Sequence, residues 1–250
     1  THRFYFQNWS GTSVDFQNEG NLSTGVVFHY DNAVVNANFK GTQLSNQSSA
    51  FQNNSQQKFV RMPETQFYTN GILCNVYESM EKIWLEKSTD NGANWQLANG
   101  GAPISYSGNL AKSPSMCLTG NGFLLIAYQE SIPGLEDEEH YVTLKIFNVL
   151  GDAPIDSAQA VIQRSSFSAD ATPVITFANY QDVNRFTVVW KVNEIDSWGM
   201  YEPGLYYRTG SLAGGNLNTI SLHEDVSQIS STNGNSFNPS IETSILNYSI

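Results

Sequence analysis

Charged residues are scarce in this 250-residue chain, because Asp, Glu, Lys and Arg make up only 14% of it and polarity comes instead from Asn, Ser, Thr and Gln. The 12 basic residues, set against 23 acidic ones for a formal net charge of −11, form no cluster that could follow a phosphate backbone. Long apolar runs are also missing: residues 123–128 and 186–190 are strand-length, far below the ~20 residues that span a bilayer. We therefore expect neither a nucleic-acid partner nor membrane insertion.

Cysteine and histidine are equally sparse. The two cysteines, Cys74 and Cys117, fall in different repeat units, with no CxxC pair and no neighbouring histidine that would indicate a metal. We predict two buried free thiols, with a disulfide between them as the alternative. None of the 4 histidines has a second histidine at ligand spacing, and no serine lies in a G-x-S-x-G elbow. These absences argue against metallohydrolase and serine-hydrolase chemistry.

The residues that are plentiful favour strands and turns. The 19 glycines, the aromatic content of 12% and the many Asn and Ser residues are typical of short strands joined by many turns, and no helical periodicity is present. We predict an all-β fold. The composition and five Asn-x-Ser sequons, which would accept glycans on a eukaryotic secretory path, favour a secreted or cell-surface protein. The sequons lie at Asn8, Asn21, Asn46, Asn53 and Asn247.

A repeated pattern runs through the chain, consisting of a proline with a short strand, a glycine turn, and an apolar strand that ends in an aromatic residue. The first two copies, residues 61–78 and 113–130, align almost residue for residue. A third copy spans residues 172–190, and a fourth opens at residues 238–241. Each of the first three copies is followed by a third strand and a weaker fourth one. The third strands are predicted at residues 82–87, 142–148 and 204–209.

Four-stranded units of this kind bury both faces only by stacking on neighbours, which predicts a β-propeller of four-stranded antiparallel blades. Stacked sandwiches are the alternative. The N-terminal region has strand candidates at residues 3–7, 24–30 and 33–39, and the C-terminal region has an opening strand, so the two ends together would complete one further blade. That gives either a closed ring of four blades or an incomplete ring from a larger chain, and we favour the incomplete ring. The predicted blades are 59–110, 111–168 and 169–235, with 236–250 and 1–58 forming the further blade.

The most specific motif follows the third strand of the first unit, where residues 88–95 read STDNGANW and fit the pattern S-x-D-x-G-x-x-W. Asp90 can accept hydrogen bonds from the backbone of its own turn, Gly92 permits a positive φ, and Trp95 can pack back between sheets. The motif therefore predicts a structural turn and not a catalytic one. Its framework residues are Ser88, Asp90, Gly92 and Trp95.

This motif, with Arg61-Met62-Pro63 ahead of it, resembles the Asp-box (BNR-repeat) propellers of the sialidase-like superfamily, of which the chain would be a divergent or partial member. In sialidases the opening arginine is one of three that clamp the substrate carboxylate, so the resemblance implies this role for Arg61. Lys112 occupies the place of Arg61 in the next unit. The acid/base aspartate that the family pattern implies is missing from residues 79–82, and no Tyr–Glu nucleophile pair can be assigned.

The predicted binding surface is the propeller face that carries the connections between second and third strands and between consecutive blades. On this face the segment 193–203 interleaves aromatic rings with carboxylates, which suits sugar recognition through stacking and hydrogen bonds to hydroxyls. The alternative is that these rings only cover the rim of the blade. The predicted ligand-binding residues on this face are Arg61, Lys112, Asp170, Glu194, Asp196, Trp198, Tyr201 and Glu202.

An acidic run lies in the loop before His140. Such a run can supply paired carboxylates or oxygen ligands for calcium, and a calcium ion would bind at Glu136, Asp137 and Glu138. A solvated loop is the plainer interpretation, and we favour it, so no cofactor is expected.

These patterns leave three functions open. Intact folding motifs beside incomplete catalytic ones favour a secreted recognition module that binds a glycan or an extracellular protein on one propeller face, without its own catalysis. The alternative is a glycoside hydrolase of sialidase type, an exo-glycosidase that uses Arg61 as the clamp for the substrate carboxylate. A purely architectural propeller is the third possibility, and fold resemblance does not separate the three.

Overall fold

The computed structural model is all-β in the residues that it describes, which confirms the prediction of an all-β fold. One short 3-10 turn at Asn99–Gly101 accompanies the strands. None of the described residues forms a helix long and apolar enough to cross a membrane. The described residues are 2–51, 56–119, 122–133, 139–155, 160–165, 171–180, 183–195, 201–213, 219–231 and 239–241.

The N-terminal region forms two small antiparallel pairs. Strand β1 (Phe4–Thr12) pairs with β4 (Val34–Gly41), and β2 (Val14–Phe16) pairs with β3 (Val26–Phe28). The three strands predicted for this region overlap β1, β3 and β4. Tyr5 of β1 attaches this region to the rest of the protein by packing against a buried cluster of Ala50, Tyr77, Trp84 and Leu97.

Three larger antiparallel sheets follow along the chain, and their strands pair mainly in sequence order. The first sheet consists of β5 (Phe59–Met62), β6 (Ile72–Ser79), β7 (Lys82–Ser88) and β8 (Gln96–Leu97). The second consists of β9 (Leu110–Leu118), β10 (Phe123–Ile132), β11 (Glu139–Asn148), β12 (Ala153–Pro154) and β13 (Ala160–Ser165), the last two both pairing with β11. The third consists of β14 (Val174–Tyr180), β15 (Val183–Ile195), β16 (Tyr201–Ala213) and β17 (Thr219–Ser231).

Apart from Leu110, which begins β9 one residue before the predicted range 111–168, the strands of each sheet lie within one of the ranges predicted for the blades. The predicted third strands correspond to β7, β11 and β16, and all three strands are longer than the sequence pattern indicated. The further blade predicted from the two chain ends rests on residues 236–250, of which the structure describes only 239–241.

The second strands of the first two sheets are buried on both faces because each sheet is covered on both sides. Ile72, Cys74 and Val76 of β6 contribute to the core between the first and second sheets, while Tyr77 faces the N-terminal region. In β10, Leu124, Ile126 and Tyr128 face the first sheet, and Leu125 and Ala127 face the third. Two continuous cores result, one on each side of the second sheet.

The two ends of the first sheet are different surfaces. One end carries the connection 63–71 and the turn 89–95, and we call it the Arg61 end, because Arg61 pairs there with Leu73. The other end carries the turn between β6 and β7. We call it the Lys112 end, because Glu78 and Gln56 of the first sheet region contact Ser113 there, next to Lys112.

Gly71 closes the β5–β6 connection at the Arg61 end. Its φ is +67°, and a Cβ atom at this position would lie 2.2 Å from the carbonyl oxygen of Met62. No side chain fits both constraints, so glycine is required where the chain turns back into β6.

The prolines of the repeat are not all equivalent in the structure. Pro114 lies within β9 and Pro173 directly precedes β14, whereas Pro63 follows β5 and lies in the connection to β6. The predicted residue-for-residue alignment of the first two copies is therefore wrong for their opening strands. By register, Arg61 pairs with the second residue of β6 just as Leu118 pairs with the second residue of β10, so Lys112 is not the counterpart of Arg61.

Cys74 and Cys117 are free and buried, as the sequence predicts. Each lies in a different core, Cys74 between the first and second sheets and Cys117 between the second and third. Burial raises the pKa of Cys74 to about 12 and raises that of Cys117 further still. Both thiols thus behave as small apolar side chains.

Candidate functional site

The turn after β7 is held by a closed set of hydrogen bonds. Asp90 Oδ1 accepts from Ser88 Oγ and from the Asn94 backbone N–H, both at 2.8 Å, and Asp90 Oδ2 accepts from Asn94 Nδ2 at 2.8 Å. Ser88 Oγ accepts from the Gly92 N–H, and Trp95 Nε1 donates to the Gly92 carbonyl oxygen. The hydrogen bonds from Asn94 and Ser88 lower the pKa of Asp90 to about 2, so this carboxylate is ionised at physiological pH.

Left-handed backbone makes this turn possible. Asn91 has φ +58° and Gly92 has φ +89°. Trp95 is 6% exposed and meets Phe59 of the first strand edge-on, with ring centroids 5.4 Å apart. The turn therefore fastens β8 to β5 across the sheet, and the polar side chains of Ser88, Asp90 and Trp95 are used within the protein.

Arg61 also serves this end of the sheet. Its Nη1 donates to the carbonyl oxygen of Asn70 at 2.7 Å and to Oδ1 of Asn91 at 2.9 Å. The guanidinium thus joins the β5–β6 connection to the 89–95 turn. Arg61 lies at the Arg61 end and Lys112 at the opposite end, so the expectation that both share one face is wrong.

Of the predicted site residues, those that the structure describes besides Arg61 lie toward the Lys112 end of their sheets. Lys112 pairs with Gln129 close to the end of β10. At the β15–β16 hairpin, Glu194 pairs with Glu202 and Tyr201 with Ile195. The remaining predicted residues lie outside the described residues: Asp170, Asp196 and Trp198, and the candidate calcium ligands Glu136, Asp137 and Glu138.

A buried polar junction that the sequence did not predict lies at the Lys112 end. Gln56 is 5% exposed, and its Nε2 donates to the carbonyl oxygens of Ser113 at 2.7 Å and of Pro173 at 2.8 Å. The backbone N–H of Met116 donates to Gln57 O at 2.8 Å. These bonds link the segments ahead of β5 and β14, the first strands of the first and third sheets, to β9, the first strand of the second sheet.

Two buried charges accompany this junction. Glu78 Oε2 accepts from the Ser113 N–H at 2.6 Å, and its Oε1 accepts from Ser49 Oγ at 2.7 Å. Lys58 is 9% exposed, and burial lowers its pKa to about 8, an effect that the nearby Glu78 carboxylate partly opposes. Sequence alone does not single out Gln56 and Lys58, because a polar side chain ahead of a short strand resembles any other loop residue.

A second buried network joins the N-terminal region to the first sheet. Glu86 is fully buried, and its Oε1 accepts from Tyr77 OH at 2.5 Å and from the Gln43 N–H at 2.7 Å. Lys40 Nζ donates to Tyr77 OH at 2.8 Å and to the Leu44 carbonyl oxygen at 2.5 Å. Burial, and secondly the Glu86 carboxylate, raise the pKa of Tyr77, so this phenol is not an activated nucleophile.

Raising the pH from about 8 to about 9 is expected to stabilise the fold. Burial lowers the pKa of Lys40 and Lys58 to about 8, whereas both ammonium groups have an ordinary pKa of 10.5 when unfolded. The unfolded chain therefore binds more protons in this interval, and stability rises with pH. The raised pKa values of Cys74 and Cys117 act in the opposite direction, since unfolded thiols begin to ionise near 9.0. The net gain is about 1 kcal/mol, measured by urea unfolding at both pH values.

The matched variant for this measurement carries Lys40→Met and Lys58→Met together. Its stability should fall slightly over the same interval, because only the opposing thiol effect remains. A wild-type protein that loses stability between these pH values would show that the two ammonium groups are not desolvated.

Metal ligands do not assemble in the part of the chain that the structure describes, where no group of three or more His, Cys, Asp or Glu side chains is placed to hold an ion. Compared with protein-family models, with curated proteins and with solved structures, the chain gives no match.

Proposed function

We propose that the three large sheets are blades of a β-propeller of the Asp-box, sialidase-like kind. Supporting this, Gln56 lies ahead of β5 and bonds to β9 and to the residue ahead of β14, so it connects the first strands of all three sheets at the Lys112 end. In a propeller the first strands surround the central axis, whereas face-to-face sandwiches single out no strand of a sheet. Residues 1–58 and 236–250 then contribute a further blade, and the closed hydrogen-bond set of the 88–95 turn supports the family resemblance.

The function that we propose is recognition of a glycan by a secreted or cell-surface module that has no catalysis of its own. One observation carries this proposal: the Arg61 guanidinium is used to join two turns at the end of the sheet opposite to Lys112. A carboxylate clamp of the sialidase kind requires cations that converge on one substrate group. Along β6, Leu73 pairs with Arg61 and Glu78 contacts the residue next to Lys112. The stretch of β6 from Leu73 to Glu78, which separates the two cations, spans roughly 16 Å at ~3.3 Å per residue.

The buried carboxylates also favour binding over hydrolysis. Glu78 and Glu86 are engaged as described above, and Glu130 accepts from Thr143 Oγ1 at 3.0 Å and from the Tyr106 N–H at 3.3 Å. A general acid or a nucleophile has to reach a substrate atom. These three carboxylates are 0–7% exposed and hold the protein together instead.

We place the glycan at the Lys112 end of the second and third sheets. By backbone register, the β15–β16 hairpin carries Tyr201, Glu202 and Glu194 at this end. Aromatic rings and carboxylates are the residue types that stack on sugars and accept hydrogen bonds from their hydroxyls. Lys112 adds a cation on the neighbouring sheet. Asp170, Asp196 and Trp198 stay predicted members of this site and lie outside the described residues.

A Lys112→Ala variant is expected to bind its glycan about 10- to 100-fold more weakly than the wild type, because one charge-assisted hydrogen bond is worth roughly 1.5–3 kcal/mol. The glycan is first identified on a glycan array with the intact chain, and its Kd is then measured by calorimetry. Arg61→Ala is the matched control, since it removes a cation from the opposite end and should leave this Kd unchanged.

The same preparation is assayed with fluorogenic glycosides, including a sialoside. Turnover that is lost in Arg61→Ala would overturn the recognition proposal in favour of a hydrolase. An array without a positive glycan would overturn the choice of ligand class, and a protein partner would become the next hypothesis.

A further inference from the structure

A polar cleft of about 240 Å³ opens beside the 88–95 turn, at the end of the first sheet opposite to the proposed glycan site. Its walls come from the N-terminal segment ahead of β1, from β7 and β8, and from the turn itself. It is lined by Arg3, Lys87, Thr89, Asp90, Asn94, Trp95 and Gln96.

Part of this lining is fixed in place before any ligand arrives. Both carboxylate oxygens of Asp90 are held by Ser88 and Asn94, and the Trp95 indole donates to the Gly92 carbonyl oxygen. The backbone of Arg3 is fixed as well, since its N–H donates to Thr42 Oγ1 at 2.9 Å. A rigid lining lowers the entropy that binding has to overcome.

Three side chains of the cleft remain available for a ligand. Within the described ranges, the Arg3 guanidinium, the Thr89 hydroxyl and the Gln96 amide have no hydrogen-bond partner in the protein. Together they offer several donors and two acceptors at one surface. This mixture of amide, hydroxyl and guanidinium groups matches alternating hydroxyl groups on a ligand.

The charges of the cleft balance. Lys87 Nζ forms an ion pair with Asp152 Oδ1 at 2.6 Å, which leaves Arg3 and Asp90 as one cation and one anion. An anionic ligand would meet the Asp90 carboxylate, and a cationic ligand would meet Arg3. Like charges repel, so each charged ligand would be repelled by one of these groups, whereas a neutral ligand is repelled by neither.

We infer that this cleft binds a neutral sugar residue, through hydrogen bonds from Arg3, Thr89 and Gln96 and contact with the edge of Trp95. The volume is below the ~300–1,000 Å³ of pockets for drug-sized ligands, which fits a single sugar ring. The inference concerns a second site, independent of the glycan site proposed at the Lys112 end.

The test is a titration of the isotope-labelled protein followed through the Trp95 indole N–H signal, which a Trp95→Phe variant assigns. The probes are the methyl glycosides of glucose, galactose and N-acetylglucosamine, which are neutral, and the methyl glycoside of sialic acid, which is anionic. We expect at least one neutral glycoside to bind with a Kd of about 1 mM, and the sialoside not to bind. Thr89→Ala and Gln96→Ala should each weaken binding about 2- to 10-fold, because one neutral hydrogen bond is worth about 0.5–1.5 kcal/mol.

Gln57→Ala is the matched control, because this exposed glutamine lies at the other end of the sheet, and it should leave the Kd unchanged. The absence of any shift with the neutral glycosides, or a shift with the sialoside alone, would overturn the inference. Binding that survives Thr89→Ala and Gln96→Ala but is lost in Lys112→Ala would also overturn the inference. That result would place the sugar at the Lys112 end and leave the proposed recognition function intact.

Discussion

Glu86→Ala is expected to lower the free energy of unfolding by about 3–5 kcal/mol, the cost of leaving one buried charge without its partner. The carboxylate is fully buried, and it balances the ammonium of Lys40, which is 2% exposed, through the shared hydroxyl of Tyr77. Without the carboxylate, the buried Tyr77 hydroxyl and the Gln43 N–H lose their acceptor, and the buried Lys40 ammonium loses its counter-charge. The measurement is urea unfolding of the intact chain.

Two further variants separate charge from packing in this network. Glu86→Gln keeps an acceptor of the same shape, so its cost should fall between those of the wild type and Glu86→Ala. Glu64→Ala removes an exposed carboxylate from the same region and should stay within about 0.5 kcal/mol of the wild type. If Glu86→Ala costs no more than Glu64→Ala, the network does not hold the N-terminal region to the first sheet.

The sequence predicted the repeated strand units because their signals are local. Apolar runs ending in an aromatic residue, preceded by a glycine turn, correspond to β6 and β10, and the strands after them correspond to β7 and β11. The same pattern failed for the opening strands. A proline restricts its own backbone but does not determine the register of the strand beside it. Pro63 therefore lies after β5, whereas Pro114 lies within β9.

The candidate site was less predictable, because its residues are defined by contacts between distant segments. Arg61 matches a family motif, yet its position depends on the register of β5, which the motif does not determine. Gln56, Lys58 and Glu78 carry no motif, and they are buried because three sheets meet around them. The hydrogen-bond partners of Gln56, Ser113 and Pro173, are 57 and 117 residues further along the chain. Tertiary structure alone distinguishes such residues from solvated ones.

Gln56→Leu is expected to lower the free energy of unfolding by about 2–4 kcal/mol, because it leaves the carbonyl oxygens of Ser113 and Pro173 unpaired in a buried place and each costs about 1–3 kcal/mol. Leucine nearly preserves the volume, so the loss reports hydrogen bonds rather than a cavity. The side-chain oxygen of Gln56 has no partner within the described residues, and its removal offsets a small part of the cost. Urea unfolding followed by tryptophan fluorescence gives the value.

Gln57→Leu is the control for this last variant, since the neighbouring glutamine is exposed and its substitution should stay within about 0.5 kcal/mol of the wild type. The comparison bears on the architecture as well as on stability. If Gln56 lies where the blades of a propeller meet, its loss loosens the second and third sheets together, and amide hydrogen exchange should rise in both β9 and β14. A rise confined to β9 would mean that the sheets stack pairwise, and the propeller proposal would fail.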